Sequence, residues 1–346
     1  MARVAINGFG RIGRTFFRMG FDNPDFEIVA INDLGDIENL AYLLRYDTAY
    51  GRADFDVKHG DQKLLINDSE VAFLSARDPR ELPWAAMGID VVVESTGIFT
   101  SYEKSKAHLD AGAKRVIITA PVKDDAAAVG VTGATVLLGV NDDMLTTCDI
   151  VSNASCTTNA TSPLIGILKE AIGIEKAVLN TTHAYTASQS LVDGPSKKDF
   201  RGGRAAAQNI IPSSTGAAIA TTLAHTELAG KFDGIAVRVP VVVGSLVDVT
   251  FIASRPTTVE EVNKALTDAA GTKQWSNIFA VTEDEIVSSD IIGARYASIA
   301  DLKMTRVVDG NLVKVLAWYD NETSYTHTLV EEVAAISRFF NQKGGR

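Results

Sequence analysis

Three glycines near the start of the chain, Gly8, Gly10 and Gly13, constrain its fold more than any other feature. They follow the strand-like run Arg3 to Asn7 and open the apolar helical pattern Ile12 to Gly20. A Gly-x-Gly-x-x-Gly set between a strand and a helix belongs to a βαβ unit, where missing side chains let backbone N–H groups at the helix N-terminus approach a pyrophosphate. The pattern therefore predicts a dinucleotide site, with Arg11 and Ile12 contributing through their backbone. Asp33 ends the next strand-like run, Ile28 to Asn32, twenty residues past Gly13. A carboxylate there accepts hydrogen bonds from a ribose 2′-hydroxyl and repels a 2′-phosphate, which selects NAD over NADP; a flavin, which uses the same fingerprint, is the alternative.

The alternation continues. Ile89 to Ser95, Arg115 to Thr119, Val136 to Val140 and Asp149 to Ser152 read as strands buried on both faces, and Tyr102 to Ala111 as a helix closed by Gly112. This predicts a doubly wound parallel sheet of the Rossmann type. After Cys156 the rhythm shifts to longer β-rich stretches, Ala177 to His183, Gly234 to Val239, Leu246 to Ala253 and Leu312 to Trp318, implying an α+β domain with a mainly antiparallel sheet. The final helical pattern, Thr323 to Phe340, aligns Tyr325, Leu329, Val333, Ile336 and Phe340 on one face. A chain of 346 residues suits two domains. The expected division is a nucleotide-binding domain, 1–155, completed by the C-terminal helix 321–346, and a catalytic domain, 156–320. The long segment from His183 to Ile211 lacks periodicity and reads as a functional or interface loop, or a mobile surface one.

A formal charge of -10 argues against a nucleic-acid or anionic-membrane partner. Two cysteines, Cys148 and Cys156, make no disulfide framework and fit a reducing compartment. With no leader-like apolar core and no long apolar run, the expected location is cytoplasmic. Cys156 stands among small polar residues, unlike a core cysteine, ahead of the helical pattern Thr157 to Ala171; Pro163 also permits a later helix start that leaves the thiol upstream. Of five histidines, His183 ends a strand-like run and is the attractive base, although the residues alone barely separate it from His59, His108, His225 and His327. No spacing of cysteine and histidine suggests a metal site.

Four segments then act together. Asn7-Gly-Phe-Gly-Arg-Ile-Gly-Arg14, Ser152-Asn-Ala-Ser-Cys-Thr-Thr-Asn159, Asn209-Ile-Ile-Pro-Ser-Ser-Thr-Gly216 and Trp318-Tyr-Asp-Asn-Glu322 closely resemble the glyceraldehyde-3-phosphate dehydrogenase family, in order and over essentially the full chain. The resemblance implies a glycolytic enzyme in which Cys156 attacks the aldehyde and His183, in Thr182-His-Ala-Tyr-Thr186, activates it. Hydride transfer to NAD then leaves a thioester that inorganic phosphate cleaves. It implies Thr186 and Arg238 for the substrate phosphate, and Ser155, Thr157, Thr215 and Gly216 for the attacking one. Arg77 and Thr119 fall near the adenosine end of the cofactor and Asn321 at the carboxamide, although Asn321 alone reads as a helix cap. An adjacent imidazolium would hold the thiol as thiolate. A homotetramer is implied, with the Tyr185 to Ile211 loop near a neighbour's cofactor. The rivals are an erythrose-4-phosphate dehydrogenase and a catalytically silent NAD-binding regulator.

The chain departs from the pattern of that family at Ala160, where many members carry a second cysteine, and at Ser188 and Gly202, where some members carry charge in those neighbourhoods.

Overall fold

In the computed structural model, which describes residues 1–196 and 199–344, the chain divides into two units. Met1–Val136, Asn141–Ala154 and the chain from Thr326 onward form the first; Leu137–Val140 and Ser155–Tyr325 form the second.

The first unit holds strands β1 (Ala2–Asn7), β2 (Phe26–Asn32), β3 (Tyr46–Asp47), β4 (Gly51–Arg52), β5 (Val57–Gly60), β6 (Lys63–Ile66), β7 (Ser69–Leu74), β8 (Val91–Glu94), β9 (Arg115–Ile118), β10 (Gly133–Thr135) and β11 (Ile150–Ser152). Its helices are α1 (Arg11–Gly20), α2 (Ile37–Arg45), α3 (Trp84–Met87) and α4 (Tyr102–Asp110). The main sheet runs β10-β11-β9-β8-β1-β2-β7-β6-β5, parallel as far as β7, with β6 and β5 added antiparallel. Val4, Ile6, Ile31, Val92 and Ile117 are fully buried, as continuous apolar strands of a covered parallel sheet should be. Because β1 pairs with β2 on one side and β8 on the other, the winding reverses at its C-terminal end, where such sheets bind ligands.

One expected strand is corrected. Val136 to Val140 is not extended pairing; the strand is Gly133–Thr135, and Leu137–Val140 pack with the second unit. Val136 and Leu137 are buried, so their apolar run reports burial and not strand geometry.

The second unit holds α5 (Cys156–Ile172), β12 (Ile174–Ala184), β13 (Ile211–Ser214), α6 (Ala217–Thr222), β14 (Phe232–Val239), β15 (Ser245–Ala253), α7 (Val259–Ala270), β16 (Phe279–Thr282), β17 (Ser298–Asp301), β18 (Arg306–Val308) and β19 (Leu312–Tyr319). The sheet order is β13-β14-β12-β15-β19-β17-β16, with β18 beside β19. The β12/β14 and β16/β17 pairs are parallel and the others antiparallel. Along β12 the period of two buries Ala177, Leu179, Thr181 and His183 on one face and exposes Val178 on the other. The buried face joins Val247, Val249, Phe251, Val313 and Val315 in a core with Leu164, Ile165 and Leu168 of α5.

Helix α8 (Thr323–Gly344) begins in the second unit and lies in the first from Thr326. In the first unit it is held by Arg338 paired to Asp25 at 2.6 Å and by Asn153 donating to Thr328 at 3.1 Å. Of the anticipated face, Tyr325, Leu329, Val333 and Ile336 are buried and Phe340 is half-buried. Among the described residues, no helix is long and apolar enough to cross a membrane.

Candidate active site

The glycine loop joins β1 to α1 in the first unit. Gly8 adopts φ +95, and a Cβ there would meet the Thr96 backbone nitrogen at 2.6 Å, while one on Gly13 would collide with the Gly8 carbonyl. Gly10, the N-cap of α1, has no side-chain cap, and a Cβ on it would meet nothing within 4 Å. A helix N-terminus with no side-chain cap and open space before it is what a pyrophosphate requires. The Arg11 side chain is turned to Asp47 at 3.0 Å and lies over the Tyr50 ring, so its backbone is what addresses the loop, as it is for Ile12. Asp33 accepts from Phe9 N at 2.6 Å and Gly35 N at 2.7 Å, which ties the carboxylate to the glycine loop at the end of β2. Thr119 lies at the end of β9, its N–H on the Glu94 carbonyl. Arg77 is exposed just past β7, beside Ala76, whose N–H and carbonyl are both bonded to Asn32.

In the second unit α5 starts at Cys156. Ser155 caps it, accepting from Thr158 N at 3.1 Å, and Asn159 Nδ2 donates to the Ser155 carbonyl at 3.1 Å. These bonds close the first turn well ahead of Pro163, which therefore does not delay the helix. The half-buried thiol thus occupies the first helical position. Its Sγ lies 3.4 Å from His183 Nε2 and 4.0 Å from Thr157 Oγ1. His183 arrives from the end of β12, where its parallel register partner on β14 is Arg238. In a parallel pair such neighbours share a face. Arg238 Nη1 stands 2.7 Å from His183 Nδ1 and 3.1 Å from the Ala184 carbonyl, which is itself 2.6 Å from Nδ1. Among the described residues Arg238 has no carboxylate partner.

The electrostatics of the pair are set by burial and by Arg238. Burial, then the Arg238 charge, pushes His183 down to about 3, against the pull of the Ala184 carbonyl. Burial pushes the Cys156 thiol up, although Arg238, the Thr157 hydroxyl and the N–H groups of Thr157 and Cys156 oppose it. Burial thus works against the charged form of each partner, and the Arg238 charge favours the thiolate while disfavouring the imidazolium.

Thr186 Oγ1 is 2.9 Å from Ser188 Oγ, and Arg238 lines a cavity of about 520 Å³ together with Ser188, Ser190, Ser213 and Ser214. The cavity brings the Thr186 and Thr215 neighbourhoods to Arg238; Thr215 caps Ala217 N at 3.2 Å, and Gly216 is exposed. Ser188 and Gly202, the two uncharged departures, are both in its wall. Thr157 is buried, its hydroxyl 2.9 Å from Tyr319 Oη, which also meets Thr181 Oγ1 at 2.8 Å. Asn321 Oδ1 accepts from Gly244 N and Ser245 Oγ, both at 3.0 Å, while its Nδ2 has no partner among the described residues. It does not cap α8; Asp320 does, accepting from Glu322 N and Thr323 N.

Residue patterns did not single out Tyr319, whose ring meets the edge of His183 at 5.9 Å, nor the buried network beneath the glycine loop. In that network Glu94 accepts from Asn7 Nδ2 at 2.5 Å, His108 Nε2 at 3.0 Å, Thr96 N at 2.9 Å and the Thr96 hydroxyl. A carboxylate in an otherwise apolar strand, Val91–Glu94, was the available signal.

With this geometry described, similarity to known proteins can be stated. Residues 2–102 match the family model for the NAD binding domain of glyceraldehyde 3-phosphate dehydrogenase, and residues 155–321 match the model for its C-terminal domain. The chain is 45% identical over 337 residues to the glyceraldehyde-3-phosphate dehydrogenase of Geobacillus stearothermophilus, covering 97% of this chain and 98% of that one. It is 46% identical to those of Streptomyces coelicolor, over 95% of this chain and 96% of the relative, and Clostridium pasteurianum, over 98% and 99%.

Proposed function

The chain belongs to the glyceraldehyde-3-phosphate dehydrogenase family, and from that premise we propose how its residues carry out the reaction. It is an NAD-dependent oxidoreductase that converts D-glyceraldehyde 3-phosphate and inorganic phosphate to 1,3-bisphosphoglycerate, a glycolytic step. The observation that supports the catalytic assignment is the Cys156 and His183 pair, 3.4 Å apart at the head of α5, beside an arginine with no carboxylate partner among the described residues. We assign 1–155 with 321–346 to the cofactor and 156–320 to catalysis.

Gly8, Gly10, Arg11, Ile12 and Gly13 would hold the pyrophosphate, Asp33 the ribose, Arg77 and Thr119 the adenosine end, and Asn321 Nδ2 the carboxamide. When bound, NAD supplies the acceptor for a hydride. Cys156 Sγ adds to the aldehyde carbon as its proton passes to His183 Nε2 and on to the carbonyl oxygen, giving a hemithioacetal. His183 Nε2 then takes the hydroxyl proton back as the carbon gives up its hydride, leaving a thioester. A phosphate oxygen attacks that carbonyl, the C–S bond breaks, and the sulfur recovers its proton from His183. The Cys156 N–H donates to the oxygen that becomes anionic at each addition. Arg238 and Thr186 bind the substrate phosphate; Thr215, Gly216, Ser155 and Thr157 bind the attacking one, the last two while also serving as helix cap and as partner of Tyr319.

The test is NADH formation with glyceraldehyde 3-phosphate, with and without inorganic phosphate. Turnover should require phosphate and vanish in Cys156→Ser while NAD still binds. Full-rate turnover without phosphate would refute the acyl-phosphate step, and faster turnover of erythrose 4-phosphate would favour the rival dehydrogenase.

A homotetramer is part of the proposal. One face of the second unit's sheet carries Val178 and Ile235 exposed, with Leu246, Ile252, Leu316 and Trp318 partly so, and a second copy of the same sheet is the partner that fits it. Leu191, Val192, Phe200 and Ile210 are likewise exposed in the loop after His183. Light scattering should give four times the chain mass. A cytoplasmic location follows the same reading, and no nucleic-acid or membrane role is proposed.

A further inference from the structure

The side-chain amide of Asn321 has a direction, and two residues where β15 begins set it. Its Oδ1 accepts from the Gly244 N–H and from the Ser245 hydroxyl, both at 3.0 Å. A backbone N–H can only donate, so a reversed amide would set its NH2 against Gly244. That N–H has no room to swing aside. Gly244 is held at φ +95, and a Cβ on it would meet the Ser288 carbonyl at 2.6 Å. The hydroxyl is bound in the same sense: Ser245 Oγ accepts from Ala184 N at 3.2 Å, which leaves its own proton for Asn321 Oδ1. Ser245 and Asn321 are both buried, so water does not compete for these bonds. All four residues belong to the second unit. A line of donors thus runs from Ala184 through Ser245 to Asn321 and ends on Nδ2, which has no acceptor among the described residues.

We propose that Ser245 is a positioning residue for the cofactor: its hydroxyl, with the Gly244 N–H, clamps the Asn321 amide so that Nδ2 alone faces the ligand. The inference rests on the reading that Asn321 addresses the carboxamide of NAD. A clamped Nδ2 offers a donor and no acceptor, so what it selects in that carboxamide is the carbonyl oxygen, not the NH2. Ser245 is the half of the clamp that a substitution can remove, since every residue at position 244 would keep the backbone N–H. Without the hydroxyl, Oδ1 is held by one donor where there were two, and the Ala184 N–H loses its acceptor. The amide then turns more freely, and each wrong orientation presents Oδ1 to a carbonyl oxygen. Ala184 directly follows His183 at the end of β12, so the same hydroxyl ties the strand that carries the base to the residue that receives the nicotinamide.

The experiment titrates the protein calorimetrically with NAD and with ADP-ribose, which carries everything in NAD except the nicotinamide. The ratio of the two Kd values reads the nicotinamide contact by itself. Ser245→Ala should shrink that ratio by about fivefold, the worth of roughly one hydrogen bond, while the Kd of ADP-ribose stays the same. Ser245→Thr, which keeps a hydroxyl, should restore most of it. Equal weakening of both ligands by Ser245→Ala would mean a general loss of structure and overturns the proposal. A second measurement needs no variant to fold. With the unmutated protein, 3-acetylpyridine adenine dinucleotide, which has the carbonyl and no NH2, should keep most of the tightening over ADP-ribose. 3-Aminopyridine adenine dinucleotide, with NH2 and no carbonyl, should bind no better than ADP-ribose; the reverse order would show that Asn321 presents its oxygen, and the clamp is then wrong. Asn321→Ala separates the two levels of the argument. If it leaves the ratio intact, the reading of Asn321 falls and the proposal with it, whereas a ratio lost in Asn321→Ala and kept in Ser245→Ala refutes the role of Ser245 alone.

Discussion

Replacing Glu94 by Gln tests whether the buried network under the glycine loop holds the cofactor site. Trp84 Nε1 donates to His108 Nδ1 at 3.0 Å, so the histidine proton is on Nε2 and is donated to Glu94 Oε2. Asn7 Nδ2 donates to the same oxygen, its own Oδ1 being occupied by Asn32 Nδ2 at 2.7 Å. The other oxygen receives the Thr96 N–H and hydroxyl. Every neighbour is a donor, and Gln offers one acceptor end where Glu offers two. Its less costly orientation keeps oxygen toward Asn7 and His108 and sets an NH2 against the Thr96 N–H. The hydroxyl can rotate to accept; the backbone N–H cannot. One buried bond is lost and a donor faces a donor, at about 1–3 kcal/mol. For a unit of this size that lowers the melting temperature by roughly 2–4 °C per kcal/mol.

The cofactor is also affected, because the Thr96 nitrogen is 2.6 Å from where a Gly8 Cβ would be, so no slack separates the two backbones. A shift of Thr96 reaches the glycine loop directly, and NAD should bind about tenfold more weakly, or 1.4 kcal/mol. The assays are thermal unfolding of the apo-protein and NAD titration followed by fluorescence. Glu94→Ala, which strips all four donors of their acceptor, should be worse than Gln on both. If Gln matches the parent in melting temperature and NAD affinity, the donor count at Glu94 is wrong and the network is not what holds the loop.

Asp33→Ala should raise the NADP/NAD ratio of kcat/KM and also weaken NAD, since Phe9 N and Gly35 N lose their acceptor; an unchanged ratio would assign cofactor choice to another residue. Tyr319→Phe takes the phenol partner away from the buried Thr157 and Thr181 hydroxyls, at about 1–3 kcal/mol in urea unfolding. Because its ring still abuts His183, kcat should fall less than about tenfold; a drop of several hundredfold would place the phenol in the chemistry. Stability should also fall in acid. Buried His183 and His225, held down to about 3 and about 4, stay neutral in the folded protein while the unfolded chain protonates them near 6.5. Stability is complete above 6.5 and is lost as pH falls toward 4, at up to about 1.4 kcal/mol per pH unit per histidine. His225→Gln should flatten that slope in urea midpoints taken from pH 7 to 4.5, and an unaltered slope would show that His225 is not the group titrating.

What could be read in advance divides by how local each constraint is. Gly8, Gly10, Gly13 and Asp33 act within one β-α-β turn, where spacing along the chain is spacing in space, and the fold places them together at the end of β1 and β2. The start of α5 was half-legible: the polar run at Ser155 to Asn159 supplies the capping groups, whereas Pro163 pointed the other way until the cap geometry decided it. His183 could not be separated from four other histidines by its own neighbourhood. What singles it out is the β12/β14 register, which sets it beside Arg238, 55 residues along the chain, on the buried face of the sheet.

The same non-local pairing shapes the electrostatics of the site. A cysteine, a histidine and a helix N-terminus, taken as a list, suggest a standing thiolate and imidazolium. Once the pairing register adds an arginine to the other side of the imidazole and the sheet buries the ring, the imidazolium is disfavoured twice, while for the thiol the same arginine opposes the push of burial.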